Sequence, residues 1–202
     1  MKFKIFSIDF RISYTFLCLV AICLITGLFK GFLCCIFAVI IHETGHIVPM
    51  YRFSSLPQKV EISLFEISIT GKLRHQSSFK QNVIIIFCGP LANFVCFILF
   101  YLLYLFYGSL FEALAYANLS IGLFNLLPVM SLDGGQLIYL LLRCRFSDGI
   151  SEKCVNIITF IILFPLAALG FLILFNSKYN FSLLLVCLYI IISLICRNNK
   201  YY

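Results

Sequence analysis

Two histidines and a glutamate lie within five consecutive residues of one apolar segment. The stretch His42-Glu43-Thr44-Gly45-His46 has the pattern H-E-x-x-H. Helical residues four apart share a face, so both imidazoles can bind one metal ion. The glutamate can take a proton from a metal-activated water molecule and pass it to a leaving amine. The pattern predicts metal-dependent hydrolysis, and a structural His–Glu pair that bridges two helices is the alternative.

A third ligand is expected, because catalytic zinc usually has three protein ligands and one position open to water. His75, the only other histidine, lies in a basic, polar loop and is expected at the surface. Asp133 is the better candidate, because a proline and two glycines near it free the backbone from helical geometry. These are Pro128, Gly134 and Gly135. We expect one Zn²⁺ ion per chain with Asp133 as its third ligand; a plain helix N-cap role for Asp133 is the alternative.

The composition places these residues in a membrane protein. Of the 202 residues, 62% are hydrophobic and 11% are charged, whereas soluble domains carry about a quarter charged residues. Lipid is therefore expected to be the solvent for most of the surface, and residues 1–202 are expected to form a single integral membrane domain. A charged group at membrane depth costs roughly 2.5–3.5 kcal/mol, which favours a functional role for His42, Glu43 and His46.

Six apolar segments predict an all-α polytopic membrane protein with about six transmembrane helices. Most are near the ~20 residues that a helix needs to cross the bilayer. The fourth is too long for one helix and is expected to break, with its second half starting at about Gln136. No cleavage site follows the basic N-terminus, so the first segment is expected to remain as a span. The segments are 12–29, 32–50, 82–107, 111–142, 154–175 and 181–196.

Residues 58–72, between the second and third segments, alternate polar and apolar side chains and slip by one register at Leu64-Phe65. Alternation with period two predicts a small membrane-associated β-strand or hairpin. Such a strand could lie at the level of the lipid headgroups, or its edge could pair with an extended substrate. The sequence leaves both possibilities open.

The charges predict the orientation of the chain. The net charge is +7, and of the 15 Lys and Arg residues all except Lys30 and Lys178 fall on the side of the N-terminus. This asymmetry indicates that both termini are cytosolic. The basic residues are scattered between apolar segments rather than gathered in a stripe, so no nucleic-acid partner is expected. The ten cysteines form no C-x-x-C pair and are expected to act as small apolar side chains.

Three stretches, taken in order, resemble the site-2 protease family of intramembrane zinc metalloproteases (peptidase family M50), particularly its short sporulation-type members. The first is residues 42–46. The second is Gly89-Pro90-Leu91-Ala92-Asn93, similar to the family's G-P-x-x-N. The third runs from Asn125 to Gly135 and is similar to N-x-x-P-x-x-P-L-D-G-G. Ser131 stands where the family often has a second proline. No C-terminal nucleotide-sensing domain, which some sporulation-type members carry, is expected after the last predicted span.

The resemblance implies a function and a set of site residues. His42, His46 and Asp133 would bind zinc, Glu43 would be the general base, and Asn125 would lie beside the cleaved bond. Gly89 and Asn93 are expected to serve close helix packing. The substrate would be a membrane-associated or transmembrane protein in a bacterial cell membrane, such as a sporulation sigma-factor precursor, and membrane regulatory proteins could be further partners. The strand region would guide the substrate.

Two functions other than proteolysis are less compatible with the sequence. A catalytically silent membrane scaffold or substrate-binding relative should have lost at least one of the four site residues, and all four are present. A metal transporter would need polar groups along its whole path. The outer halves of the second and fourth segments offer mainly Phe, Leu, Ile, Ala and Val instead.

Overall fold

The computed structural model describes residues 2–5, 8–12, 25, 27, 29–53, 59–62, 67–70, 78–177, 187–188 and 190–191. The predicted first and last spans lie almost wholly outside these residues, as does His75. The chain divides into two compact units, Met1–Phe124 and Asn125–Tyr202.

The helices of the described residues are, in chain order, α1 (Phe29–Arg52), α2 (Phe79–Tyr107), α3 (Ser109–Asn125), α4 (Asp133–Arg143) and α5 (Asp148–Ser177). Three of them are long and apolar enough to cross a membrane: α1, α2 and α5 over Asp148–Leu172. They correspond to the second, third and fifth predicted spans. The described residues thus support an integral membrane protein built mainly from helices.

Local sequence signals fix the ends of α2. The Ser78 hydroxyl accepts a hydrogen bond from the Gln81 backbone, and the Gln81 side chain accepts one from the Ser78 N–H at 2.9 Å. This capping box satisfies two donors that the helix itself leaves unpaired. At the other end, Gly108 has a φ of 93°, which glycine adopts readily because it lacks a Cβ. The chain can therefore leave α2 and enter α3 after a single residue.

Within the part of the first unit that the structure describes, the strands form one four-stranded sheet. They are β1 (Lys2–Ile5), β2 (Ile8–Ile12), β3 (Lys59–Ile62) and β4 (Ile67–Thr70), in the order β1-β2-β3-β4. β1 and β2 are antiparallel, as are β3 and β4, whereas β2 and β3 are parallel.

The sheet is larger than the sequence indicated. β3 and β4 lie in the alternating region between the second and third predicted spans, and the expected register slip falls in residues 63–66, outside the described residues. β1 and β2 were not predicted, because β2 pairs with β3 across a long stretch of intervening chain. A helical description with at most a hairpin is therefore too narrow for this part of the chain.

Candidate metal centre

His42 and His46 lie on one face of α1, as their four-residue spacing requires. Both side chains are buried, and their rings meet edge to face with centroids 4.7 Å apart. The two Nε2 atoms are 3.1 Å apart. The first unit therefore directs two imidazole nitrogens toward one point inside the helix pair.

The outer nitrogen of His46 is held by α2. Its Nδ1 lies 2.8 Å from the carbonyl oxygen of Ile85. A carbonyl oxygen can only accept, so Nδ1 must carry the proton and donate it. In a neutral ring the proton is then absent from Nε2. The contact with Ile85 thus leaves Nε2 of His46 with a lone pair that can bind a metal.

The outer nitrogen of His42 is held by an amide. Its Nδ1 lies 2.8 Å from Oδ1 of Asn93, whose Nδ2 donates to the carbonyl oxygen of Ala38 at 2.9 Å. Because the Ala38 carbonyl only accepts, the nitrogen of the Asn93 amide must face it, and the oxygen must face His42. Nδ1 of His42 therefore donates, and Nε2 of His42 also has a lone pair.

The two Nε2 atoms lie 3.1 Å apart. With the proton of each neutral ring on Nδ1, neither Nε2 atom can donate a hydrogen bond to the other. Two nitrogens each about 2.0–2.1 Å from one tetrahedral zinc ion lie about 3.3 Å apart. Metal-bound histidines commonly donate their other ring N–H to a carbonyl or a carboxylate. The spacing and the outer hydrogen bonds of His42 and His46 both fit zinc.

Gly89 provides space for one of these rings. A Cβ atom at Gly89 would overlap the imidazole of His46, which is the closest group to it. Ile85, Gly89 and Asn93 follow one another at four-residue intervals, so they lie on the same face of α2. On α1, a Cβ at Gly45 would meet the α2 backbone at Gly89. The two glycines therefore let α1 and α2 approach closely, as small residues do between membrane helices.

Glu43 lies on α1 next to His42 and is half-buried. α1 runs without a break to Arg52 and continues past Pro49, so Pro49 does not end the helix. At a rise of 1.5 Å per residue, Glu43 lies roughly 13 Å along the axis from Arg52. A carboxylate at that depth, adjacent in sequence to a candidate ligand, is suited to proton transfer.

In the second unit, Asp133 is the first residue of α4 and is buried, with 8% of its surface exposed. The N-cap residue is Leu132, whose backbone is extended (φ −107°, ψ 164°), so Asp133 does not occupy the N-cap position that was its alternative role. The helix begins three residues before the predicted Gln136. A carboxylate in the first turn is favoured by the helix dipole.

The paired glycines are explained by the fold of the break itself. A Cβ at Gly134 would overlap the carbonyl of Leu126, and one at Gly135 would overlap the carbonyl of Val129. Residues 126–132 therefore fold back onto the first turn of α4. Short backbone hydrogen bonds hold this stretch, including Val129 N to Leu127 O at 2.7 Å. The glycines fix the start of α4, where Asp133 lies.

Two further residues of the break were singled out by the sequence. Asn125 is the last residue of α3 and is half-buried. Ser131 lies in the irregular stretch, so the stretch forms with a serine where the family often has proline. On α5, the Thr159 hydroxyl lies 3.1 Å from the carbonyl oxygen of Pro128 and 2.9 Å from that of Val155, which share its hydrogen. Thr159 thereby holds the break and was not predicted.

The structure brings His42 and His46 together within the first unit and places Asp133 and Asn125 in the second. Sequence reasoning assigned Gly89 and Asn93 only to helix packing. It missed that Asn93 binds His42 and that Gly89 makes room for His46. The signal was present in the G-P-x-x-N spacing, which puts both residues on one face of α2, but the facing residues of α1 could not be read from it.

Comparisons with known proteins place the chain among related sequences. The model of peptidase family M50 matches residues 107–169. Stage IV sporulation protein FB of Bacillus subtilis is 33% identical over 125 residues, which are 60% of this chain. The match spans 43% of that relative's own length.

A solved structure extends the comparison to nearly the whole chain. The Site-2 Protease from Methanocaldococcus jannaschii superposes with a TM-score of 0.73, over 94% of this chain and 91% of that one. At 21% identity this likeness establishes the fold alone. The resemblance predicted from the three motifs is confirmed: the chain is similar to peptidase family M50 and to a sporulation protein, and it has the fold of a site-2 protease.

Proposed function

We propose that the chain is an intramembrane zinc metallopeptidase in which His42, His46 and Asp133 hold one Zn²⁺ ion and Glu43 is the general base. One observation carries the proposal. The outer nitrogens of both histidines are engaged as donors, so both Nε2 lone pairs converge at 3.1 Å on the helix that also carries the half-buried Glu43.

Asp133 is proposed as the third ligand because of its chemistry and burial. Two histidines and one carboxylate form a common set of catalytic zinc ligands. The side chains of His42, His46 and Asp133 are all buried. The glycines after Asp133 fix the backbone that carries it.

The proposed mechanism assigns a proton path to Glu43. Bound zinc would act as a Lewis acid that polarises the substrate carbonyl and lowers the pKa of a water molecule. Glu43 accepts a proton from the attacking water and delivers it to the leaving amine. Asn125 donates a hydrogen bond to the oxygen of the scissile carbonyl as negative charge develops there. The protein side chains thus cover both proton transfer and charge stabilisation.

We also propose six membrane crossings with both termini in the cytosol. β2 and β3 are neighbours in one sheet, so the chain returns to the same side of the membrane between residues 12 and 59. α1 supplies one crossing, and the predicted first span would supply the second. Fusion of a reporter protein to either terminus should give cytosolic activity at both, and an outside location of either terminus would reject this topology.

The proposed substrate is a membrane-associated protein, and a sporulation sigma-factor precursor is the leading candidate. The identity shared with a sporulation protein supports that choice. A helical substrate must unwind before its peptide bonds are accessible, and pairing with the edge of β4 would replace the hydrogen bonds that it loses. Membrane regulatory proteins are further proposed partners.

The test uses the full chain in proteoliposomes with a membrane-anchored sigma-factor precursor and a panel of single-span membrane proteins. New N-termini are read by mass spectrometry. We expect wild type to produce them, a zinc chelator to abolish them and added zinc to restore them. Equal products from Glu43→Gln would reject the peptidase and favour a binding or scaffolding role. Zinc flux into the vesicles without any cleavage would favour a transporter.

A further inference from the structure

Three consecutive hydrogen bonds connect His42 to a carbonyl on α3. His42 Nδ1 lies 2.8 Å from Oδ1 of Asn93, Nδ2 of Asn93 donates to Oδ1 of Asn118 at 3.0 Å, and Nδ2 of Asn118 donates to the carbonyl oxygen of Leu114 at 2.8 Å. Both asparagine side chains have 0% exposure. Two buried amides therefore link the candidate ligand to the backbone of another helix.

The chain of bonds has one direction. The Leu114 carbonyl can only accept, so the nitrogen of Asn118 must face it, and the oxygen of Asn118 faces Asn93. That oxygen takes the second N–H of Asn93, whose first N–H goes to Ala38. The only part of the Asn93 amide left for His42 is its oxygen. The hydrogen bond at Leu114 therefore fixes the orientation of both amides, and the Asn93 oxygen accepts from Nδ1 of His42.

A reversed Asn93 amide would have two unfavourable contacts. Its oxygen would face the oxygens of both Ala38 and Asn118, and its N–H groups would face His42. The ring proton of His42 would then be favoured on Nε2, where it blocks metal binding. Without the oxygen of Asn118, a buried N–H of Asn93 loses its acceptor. A reversed Asn93 amide would then have only one unfavourable oxygen–oxygen contact, the one with Ala38.

We propose that Asn118 is a positioning residue for the metal site: without touching His42, it holds the Asn93 amide in the orientation that keeps Nε2 of His42 unprotonated. The role of that nitrogen in catalysis rests on the function proposed above, but the tautomer of His42 does not. Aligned hydrogen bonds also polarise one another, which makes Nε2 a better donor to a cation.

The test compares substitutions of similar size in the full chain. Asn118→Leu removes the oxygen that Asn93 needs, whereas Asn118→Asp keeps an oxygen there. Asn156→Leu makes the same chemical change at a half-buried position of α5 and serves as the control. Asn118→Thr is a second variant that removes the acceptor for Asn93. Its hydroxyl can donate to the carbonyl four residues earlier, as Thr159 does, but the shorter side chain does not reach Asn93.

The first readout needs no metal. In zinc-free protein labelled with ¹⁵N-histidine, in a His75→Gln background, only His42 and His46 contribute imidazole signals. We expect the Nδ1–H tautomer of His42 in wild type, Asn118→Asp and Asn156→Leu. A mixture of tautomers is expected in Asn118→Leu and Asn118→Thr. The wild-type tautomer in both loss variants would overturn the proposal.

The second readout is zinc affinity, measured by competition with a chelator. Outer partners of metal-bound histidines typically change affinity 10- to 100-fold, and we expect about a tenfold loss in Asn118→Leu with no change in Asn118→Asp. An equal loss of zinc affinity in Asn118→Leu and Asn118→Asp, or a loss in the Asn156→Leu control, would show that Asn118 has only a structural role. If wild type showed this pattern but cleaved no protein, the proposed function would fail while the role of Asn118 stood.

Discussion

Nε2 of His42 and Nε2 of His46 lie 3.1 Å apart although Nδ1 of each ring already serves as a hydrogen-bond donor. In neutral rings this arrangement leaves a lone pair on each Nε2 atom, and the proposed divalent cation would accept both. The proposed zinc ion would therefore contribute to the stability of the first unit as well as to its chemistry.

Zinc binding should therefore stabilise the protein. A ligand at 1,000 times its dissociation constant adds about 4 kcal/mol to the folded state. We expect the thermal unfolding midpoint to fall on chelation and to rise again as zinc is titrated back. Magnesium at the same concentration serves as the control, because it prefers oxygen ligands. An unfolding midpoint indifferent to zinc would contradict a metal bound between the two rings.

Glu43→Gln should separate metal binding from proton transfer. Glutamine has the same size and cannot take a proton from water, and general base catalysis contributes roughly 10²–10⁴-fold. We expect a loss of cleavage rate in that range with an unchanged zinc content. Thr44→Val, at an exposed neighbour on α1, is the control and should cleave normally. Zinc loss in Glu43→Gln would make Glu43 a ligand instead.

Asp133→Asn should weaken zinc binding. A structural zinc ion contributes about 10–16 kcal/mol through its full ligand set, so loss of one anionic ligand is expected to cost roughly 100-fold or more in affinity. The chelator concentration that removes half of the zinc measures the change. Asp148→Asn, an exposed aspartate at the start of α5, should bind like wild type. Full affinity in Asp133→Asn would exclude Asp133 from the site.

Gly89→Ala should disturb the metal centre through His46. The added Cβ would overlap the imidazole, and overpacking typically costs about 1–3 kcal/mol. We expect weaker zinc binding and a lower unfolding midpoint. Gly31→Ala provides a matched control on α1, because a Cβ there meets nothing within 4 Å and alanine favours the helix by up to about 1 kcal/mol. Equal behaviour of the two variants would show that the ring can move aside.

The second, third and fifth of the six spans were predictable because their signal is local. A helix that crosses lipid needs a long apolar run, and α1, α2 and α5 each contain one. The break was predictable for the same reason, since Pro128, Gly134 and Gly135 restrict the backbone where they stand. The common face of His42 and His46 was predictable too, because a four-residue spacing puts two side chains on one side of any α-helix.

What the sequence could not provide was the rotation of one helix against another. Asn93 and Gly89 were visible as a spaced pair, but their partners on α1 depend on how the two helices pack. The same holds for Asn118, which carries no motif and is recognised only by its contact with Asn93. Strands β1 and β2 were missed because β2 pairs with β3, which lies far along the chain.

Gly135→Ala should test the fold of the break. The new Cβ would overlap the backbone carbonyl of Val129, which cannot rotate away as a side chain does, so we expect a loss of stability at or above the roughly 1–3 kcal/mol of ordinary overpacking. Gly149→Ala, where a Cβ meets nothing within 4 Å, should be neutral or stabilising. Denaturant unfolding in detergent compares the two. Equal stability would mean that residues 126–132 do not rest on α4.

The parallel pairing of β2 with β3 constrains the order in which a ribosome-bound chain can assemble. β1 and β2 emerge first and can pair at once, but β3 follows only after residues 13–58 have been synthesised. Because α1 lies within that stretch, membrane insertion precedes completion of the sheet. Until β3 is synthesised, the β1–β2 hairpin has an unpaired edge at β2. Slowed insertion of α1 should therefore expose an aggregation-prone strand edge in the nascent protein.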